Sequence, residues 1–205
     1  MHANSTAMID TLLQAWQQVS TLEIVSVAFG LVYVVLAAKE NIWCWPAAFI
    51  GTGTGIMVFW DASLLMESAL NVFYLLMAVY GFYQWKYGGQ QGDQLSIASW
   101  QLPQHLKAIT LIAALVVSSG YLLHNHTNAA LPYVDSFTTW AAVVSTWMVA
   151  RKILENWLYW VVIDAVAVWL FVQRELYLYA LLFVLYTIIA VYGYLQWRVK
   201  ARAAV

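Results

Sequence analysis

Two acidic residues stand inside apolar runs long enough to cross a membrane: Asp164 near the middle of one, Glu67 toward the outer end of another. A carboxylate at the bilayer centre costs about 2.5–3.5 kcal/mol on insertion scales, so it marks a functional site by default. Spacing gathers neighbours around each. Glu67, Asn71 and Tyr74 stand at i, i+4 and i+7, on one face of a helix. Trp157, Trp160 and Asp164 stand at i, i+3 and i+7, on one face of another. A stripe carrying Glu, Asn or Asp does not face lipid, so both faces are expected to look into a shared, partly wet cavity. The chemistry such a cavity offers is recognition of a cationic aromatic ligand. Ring faces attract a cation by their quadrupole, at about 0.5–2 kcal/mol each. A carboxylate supplies the countercharge, and Asn71 or a tyrosine hydroxyl supplies orienting hydrogen bonds.

Other chemistry is thinly represented. His124-Asn125-His126 offers two imidazoles in an outer loop without a third ligand, so no metal site is expected. Gly51-Thr52-Gly53-Thr54-Gly55 lacks the following Lys of a phosphate loop and reads as a thin helix face that allows close approach. Pro46 is expected to kink its span. Trp85 and Trp197, at span ends, read as anchors in an interfacial belt, and Gly81 and Gly193 as close-packing positions. There is no Walker motif and no Ser/His/Asp constellation. No catalytic residue and no cofactor is expected, and the reading is not an enzyme.

The elements that hold these residues are membrane spans. Of 205 residues, 63% are hydrophobic and only 9% charged, against about 25% charged in soluble domains, which excludes a soluble fold and a nucleic-acid partner. Seven stretches of about 20 apolar residues are predicted, at 22–39, 42–60, 64–86, 105–123, 133–151, 154–172 and 176–198. Their continuous apolar runs argue for helices rather than a barrel. Met8, Ile9, Leu12, Leu13, Trp16 and Val19 share a face of a short N-terminal amphipathic segment, residues 1–21, that suits the bilayer interface. Residues 87–104 form a polar linker, and residues 125–132 a second loop. With the N-terminus outside, eight of nine Lys and Arg fall on the cytoplasmic side, leaving only Arg174 outside. The expected location is a multi-pass place in the inner membrane, with a periplasmic N-terminus and a cytoplasmic C-terminus.

The chain also repeats itself. Tyr80-Gly81-Phe82-Tyr83-Gln84-Trp85 recurs as Tyr192-Gly193-Tyr194-Leu195-Gln196-Trp197, at an offset of 112 residues. The same offset pairs Tyr74 with Tyr186, Trp45 with Trp157, Leu64 with Leu176, and Lys39-Glu40 with Arg151-Lys152. The fold class expected is therefore an all-α membrane protein, seven transmembrane helices arranged as a parallel 3+1+3 repeat. The first repeat is 22–87, the linker with the fourth span is 88–132, the second repeat is 133–199, and a tail covers 200–205. Sugar carriers of the SWEET type share that arrangement, with the substrate at the repeat interface.

Glu155-Asn156-Trp157-Leu158-Tyr159-Trp160 followed by Ile163-Asp164, the Tyr-Gly-x-x-Gln-Trp ends of both repeats and the Asp135-Ser136-Phe137 start of span five together resemble the Pnu-type vitamin transporters. The resemblance covers nearly the whole chain from about residue 20. It implies facilitated diffusion through a carrier that is often a homotrimer, with a cytoplasmic vitamin kinase trapping the substrate as its phosphate. It also implies a substrate site built from Trp157, Trp160 and Asp164, with Asn71, Tyr74 and Tyr186 opposite. Known members carry nicotinamide riboside or thiamine. Because Asp164 and Glu67 are two carboxylates that the riboside carriers lack, thiamine is expected ahead of nicotinamide riboside. A sensor that binds the same ligand without moving it is the alternative from another class.

Overall fold

The first described helix begins at a serine N-cap. Ser20 Oγ accepts a hydrogen bond from the Glu23 backbone N–H at 3.1 Å, and α1 runs Thr21–Ala38. The computed structural model describes residues 20–61, 65–127, 131–173 and 177–203; the N-terminal amphipathic segment, apart from its last two residues, and Arg174 lie outside them. Six further long helices follow: α2 Cys44–Asp61, α3 Leu65–Tyr87, α4 Leu102–His126, α5 Pro132–Ala150, α6 Asn156–Gln173 and α7 Tyr177–Ala203. Four of the seven are apolar enough, by length and composition, to cross a membrane: α1, α4, α6 and α7. Polar or small residues dilute the other three: Gly and Thr in α2, Glu67, Ser68 and Asn71 in α3, Ser136, Thr138, Ser145 and Thr146 in α5.

The helices form two three-helix units joined by α4. Within the units α2 packs on both α1 and α3, and α6 on both α5 and α7. The units meet through α1 against α7 and α3 against α5, and α4 lies on α5. Since α5 and α7 are the repeats of α1 and α3, the two inter-unit contacts are equivalents of one another. This is the 3+1+3 arrangement that the offset of 112 predicts.

The offset holds down to single hydrogen bonds. After α1, the N–H groups of Glu40 and Asn41 return to the carbonyls of Ala37 and Leu36, at 2.8 and 2.9 Å. After α5, Lys152 and Ile153 return to Val149 and Met148, at 2.9 and 2.9 Å. Both ends are Schellman caps with a left-handed residue, and that residue is Glu40 (φ 59°) in one and Lys152 (φ 50°) in the other. Glycine would avoid the steric cost there, about 1–2 kcal/mol per residue. The two side chains meet instead: Lys152 Nζ lies 2.7 Å from Glu40 Oε1, 4.7 Å from the Trp85 ring centre, and is almost fully buried. Lys200 on α7 adds a second ion pair to Glu40, at 3.0 Å.

Beneath this pair lies a core of four tryptophans. Trp45 meets Trp85 edge-on at 5.5 Å, Trp85 meets Trp197 at 5.7 Å, and Trp197 meets Trp157 at 5.5 Å. Trp85 Nε1–H donates to the Val149 carbonyl and Trp197 Nε1–H to that of Ala37, both at 3.0 Å. Trp85 and Trp197 are therefore not interfacial anchors. They are 2% and 0% exposed, and they tie each repeat to the other. Gly81 and Gly193 are where the rings of Trp45 and Trp157 lie against the backbone, so a Cβ at either would overlap an indole.

Three smaller expectations change as well. Pro46 lies in the first turn of α2, where proline is tolerated, and not in mid-helix. His124, Asn125 and His126 are the exposed last turn of α4 and not a loop. The linker is partly ordered as a strap: Ala98 bridges to Ile153, its N–H donating to the Lys152 carbonyl and its carbonyl accepting from Leu154 N–H, at 3.0 and 2.8 Å. Glu155 holds the same strap through the Ser99 hydroxyl and the Trp100 N–H.

Candidate functional site

Two neighbouring cavities open between the repeats. The first, about 250 Å³, is walled by Trp157, Trp160 and Asp164 of α6, Phe183 and Tyr186 of α7, and Gly30 and Tyr33 of α1. The second, about 220 Å³, is walled by Trp45 and Thr52 of α2, Asn71 and Tyr74 of α3, Thr146 of α5, and Ser26 of α1. Gly30, Tyr33 and Trp160 line both. Each is smaller than the usual ligand pocket of about 300–1,000 Å³, and joined across Tyr33 and Trp160 they reach it.

Of the seven residues expected at a site, the structure places six along these cavities, five of them singled out by spacing and Tyr186 by the family resemblance. Trp157, Trp160, Asp164 and Tyr186 share the first cavity, and Asn71 and Tyr74 the second. Glu67 is in neither. It is exposed in the first turn of α3, and its contribution near the site is its backbone carbonyl, which accepts from Asn71 Nδ2 at 2.9 Å. One turn along a helix was enough to carry its side chain past the cavity face, toward the end of the span.

Asp164 is 3% exposed, and among the described residues no cation or hydrogen-bond donor reaches its carboxylate. A buried charge without a partner is costly and is expected to be compensated when a ligand arrives. The walls around it are aromatic, and Trp160 is half-buried with one side toward each cavity. Among the described residues the indole N–H groups of Trp45 and Trp157 are buried without a hydrogen-bond partner, and one of these tryptophans lines each cavity. Among the described residues no three His, Cys, Asp or Glu gather as a metal site.

Several wall residues were not among those expected, including Ser26, Gly30, Tyr33, Trp45, Thr52, Thr146 and Phe183. Signals for some of them existed. Ser26, Gly30 and Tyr33 stand at i, i+4 and i+7 on α1, and the offset of 112 pairs Trp45 with Trp157 and Thr52 with Asp164.

A bundle of long apolar helices around an aromatic, acid-bearing cavity defines a polytopic membrane protein with a solute-sized internal site. The chain belongs to the nicotinamide mononucleotide transporter family, whose sequence profile matches residues 20–199. It is similar to the nicotinamide riboside transporter PnuC of Escherichia coli (strain K12), 26% identical over 211 residues, covering 89% of this chain and 87% of that protein. It is also similar to the riboflavin/roseoflavin transporter RibM of Streptomyces davaonensis, 21% identical over 192 residues, covering 91% and 88%. The fold matches the crystal structure of the vitamin B3 transporter PnuC, with a TM-score of 0.72 at 21% identity, covering 95% of this chain and 88% of that one.

Proposed function

We propose that this protein takes up nicotinamide riboside across the bacterial inner membrane by facilitated diffusion, with a cytoplasmic kinase trapping the product as its phosphate. The observation that carries the reading is the buried Asp164 carboxylate, unpaired among the described residues and walled by Trp157, Trp160 and Tyr186. A pyridinium ring is flat, cationic and aromatic, and it meets all three demands of that wall: countercharge, ring faces and a largely apolar lining. The thiamine-first expectation rested on two carboxylates. With Glu67 outside both cavities only one remains, and the E. coli relative is a riboside carrier, so the riboside takes precedence. On this reading the end bearing Lys39, Arg151, Lys152 and Lys200 is cytoplasmic, supported by the excess of Lys and Arg on that side. The working unit under this reading is a homotrimer.

The test uses purified protein and liposomes. Calorimetry is expected to show saturable binding of nicotinamide riboside and none, or far weaker binding, of thiamine. Liposomes loaded with a riboside kinase and ATP are expected to accumulate phosphorylated riboside. Thiamine binding without riboside binding overturns the substrate, and riboside binding without accumulation makes the protein a sensor.

A further inference from the structure

The two cavities are images of one another under the repeat. Displacing Trp157, Trp160, Asp164, Phe183 and Tyr186 by 112 residues gives Trp45, Ala48, Thr52, Asn71 and Tyr74, all of which line the second cavity. The substitutions run in one chemical direction. The charge becomes a hydroxyl, one indole becomes a methyl, and a phenyl ring becomes an amide. One half-site is built for a cationic ring, and its image has lost the features a cation needs and gained neutral hydrogen-bonding groups.

Those groups have bonding capacity to spare. Trp85 and Trp197 spend their indole N–H groups on backbone carbonyls, whereas Trp45, 2% exposed, has none for its own. Thr52 gives its hydroxyl proton to the Ala48 carbonyl at 2.8 Å, which leaves its oxygen free to accept. A hydroxyl group donates one hydrogen bond and accepts others, so separate ligand hydroxyls in this cavity could take the Trp45 N–H and give a proton to Thr52, two turns apart along α2. We propose that the first-repeat cavity is a second half-site that binds the hydroxylated, pentose part of the substrate, with Trp45 and Thr52 as its specificity-determining residues. The inference rests on the riboside reading and extends it: Asp164 with its rings holds the base, and Trp45, Thr52 and Asn71 read the sugar.

The test compares nicotinamide riboside with its 2′,3′-dideoxy analogue by calorimetry on the purified full chain. Wild-type protein is expected to bind the analogue at least fivefold more weakly than the riboside. Trp45→Phe keeps the ring and removes the N–H, and Thr52→Val keeps the shape and removes the acceptor. Each is expected to weaken riboside binding about fivefold, the scale of one neutral hydrogen bond, and to leave the analogue's affinity where wild type has it. Equal losses for both ligands mean a structural role and overturn the half-site, as does equal wild-type affinity for the two ligands or no loss in either variant. If Trp45→Phe fails to fold, Thr52→Val decides alone. Wild-type protein that does not bind the riboside overturns the functional reading, and the half-site with it.

Discussion

The two repeats differ in a patterned way. Positions that hold the bundle together are the same or complementary in both: Trp45 and Trp157, Trp85 and Trp197, Gly81 and Gly193, Glu40 and Lys152. Positions facing the cavities are not, since Ala48, Thr52 and Asn71 stand where the second repeat has Trp160, Asp164 and Phe183. Two pairs are kept at the wall, Tyr74 with Tyr186 and Trp45 with Trp157, the second of which also packs in the tryptophan core. Packing constrains a repeat because each half must fit its own image across the axis, and a ring that docks on a glycine in one half needs a glycine in the other. A cavity carries no such constraint, so its walls can diverge until each serves one part of an asymmetric ligand. The scaffold thus behaves as two equal halves and the site as two unequal ones.

The sharpest way to break that comparison is to truncate the scaffold in each half. Trp85→Ala and Trp197→Ala each remove a fully buried indole and a hydrogen bond to the opposite repeat. Each is expected to cost about 3–5 kcal/mol, read as a fall in melting temperature in detergent. The two falls should be similar. A large loss for one and little for the other would mean that the halves do not carry the core equally.

The Glu40–Lys152 pair comes next. Glu40→Gln leaves a buried ammonium with only a neutral partner and the Trp85 ring, and about 2 kcal/mol of stability should go, less than for a fully enclosed pair because Glu40 keeps some solvent contact. Burial works to raise the Glu40 carboxyl, but the hydrogen bonds and charges of Lys152 and Lys200 outweigh it and hold it below the ordinary range. A group lowered on folding contributes its stability above the unfolded value, about 4.3, and loses it as pH falls through the folded one. The contribution of this group should therefore be fully present and independent of pH above about pH 5, and wild type should show an acid decline in melting temperature below that which Glu40→Gln lacks.

For the unequal site, Asp164→Asn is the probe. It keeps the shape and removes the charge that no residue of the second cavity supplies. Riboside affinity should fall by about tenfold to a hundredfold, the scale of a hydrogen bond to a charged group, with melting temperature kept or raised because a buried unpaired carboxylate is gone. Unchanged affinity would remove Asp164 from the site.

Much of this was legible in the chain. The seven spans follow from apolar runs, and the repeat from a six-residue motif carrying Gly and Trp, which chance rarely duplicates at one offset with so many companions. That Asn71, Tyr74, Trp157, Trp160 and Asp164 line cavities was readable because helical spacing puts them on two faces, and Tyr186 was named through the family resemblance. Trp85 and Trp197 were misread because a tryptophan near a span end looks the same in sequence whether lipid headgroups or another helix receives it. What buries them is the partner repeat, whose Val149 and Ala37 carbonyls lie 64 and 160 residues away. The strap at Ala98 had no local signal either, since its partners on the 152–155 loop are backbone groups and one glutamate.

The smallest effect expected is the most useful control. Glu67 shares a helical face with Asn71 and Tyr74 by spacing, yet it is exposed and lines neither cavity. Its backbone carbonyl, which holds the Asn71 amide at 2.9 Å, survives any change of side chain. Glu67→Gln should therefore leave riboside affinity within twofold and stability within about 0.5 kcal/mol, as for surface substitutions generally. Asn71→Leu, one turn further along α3, removes the amide from the second cavity and should weaken riboside binding several-fold while sparing the dideoxy analogue. If Glu67→Gln instead weakened binding as much as Asp164→Asn does, the first repeat would hold a countercharge of its own. The two half-sites would then be alike in charge, and their division between base and sugar would fail.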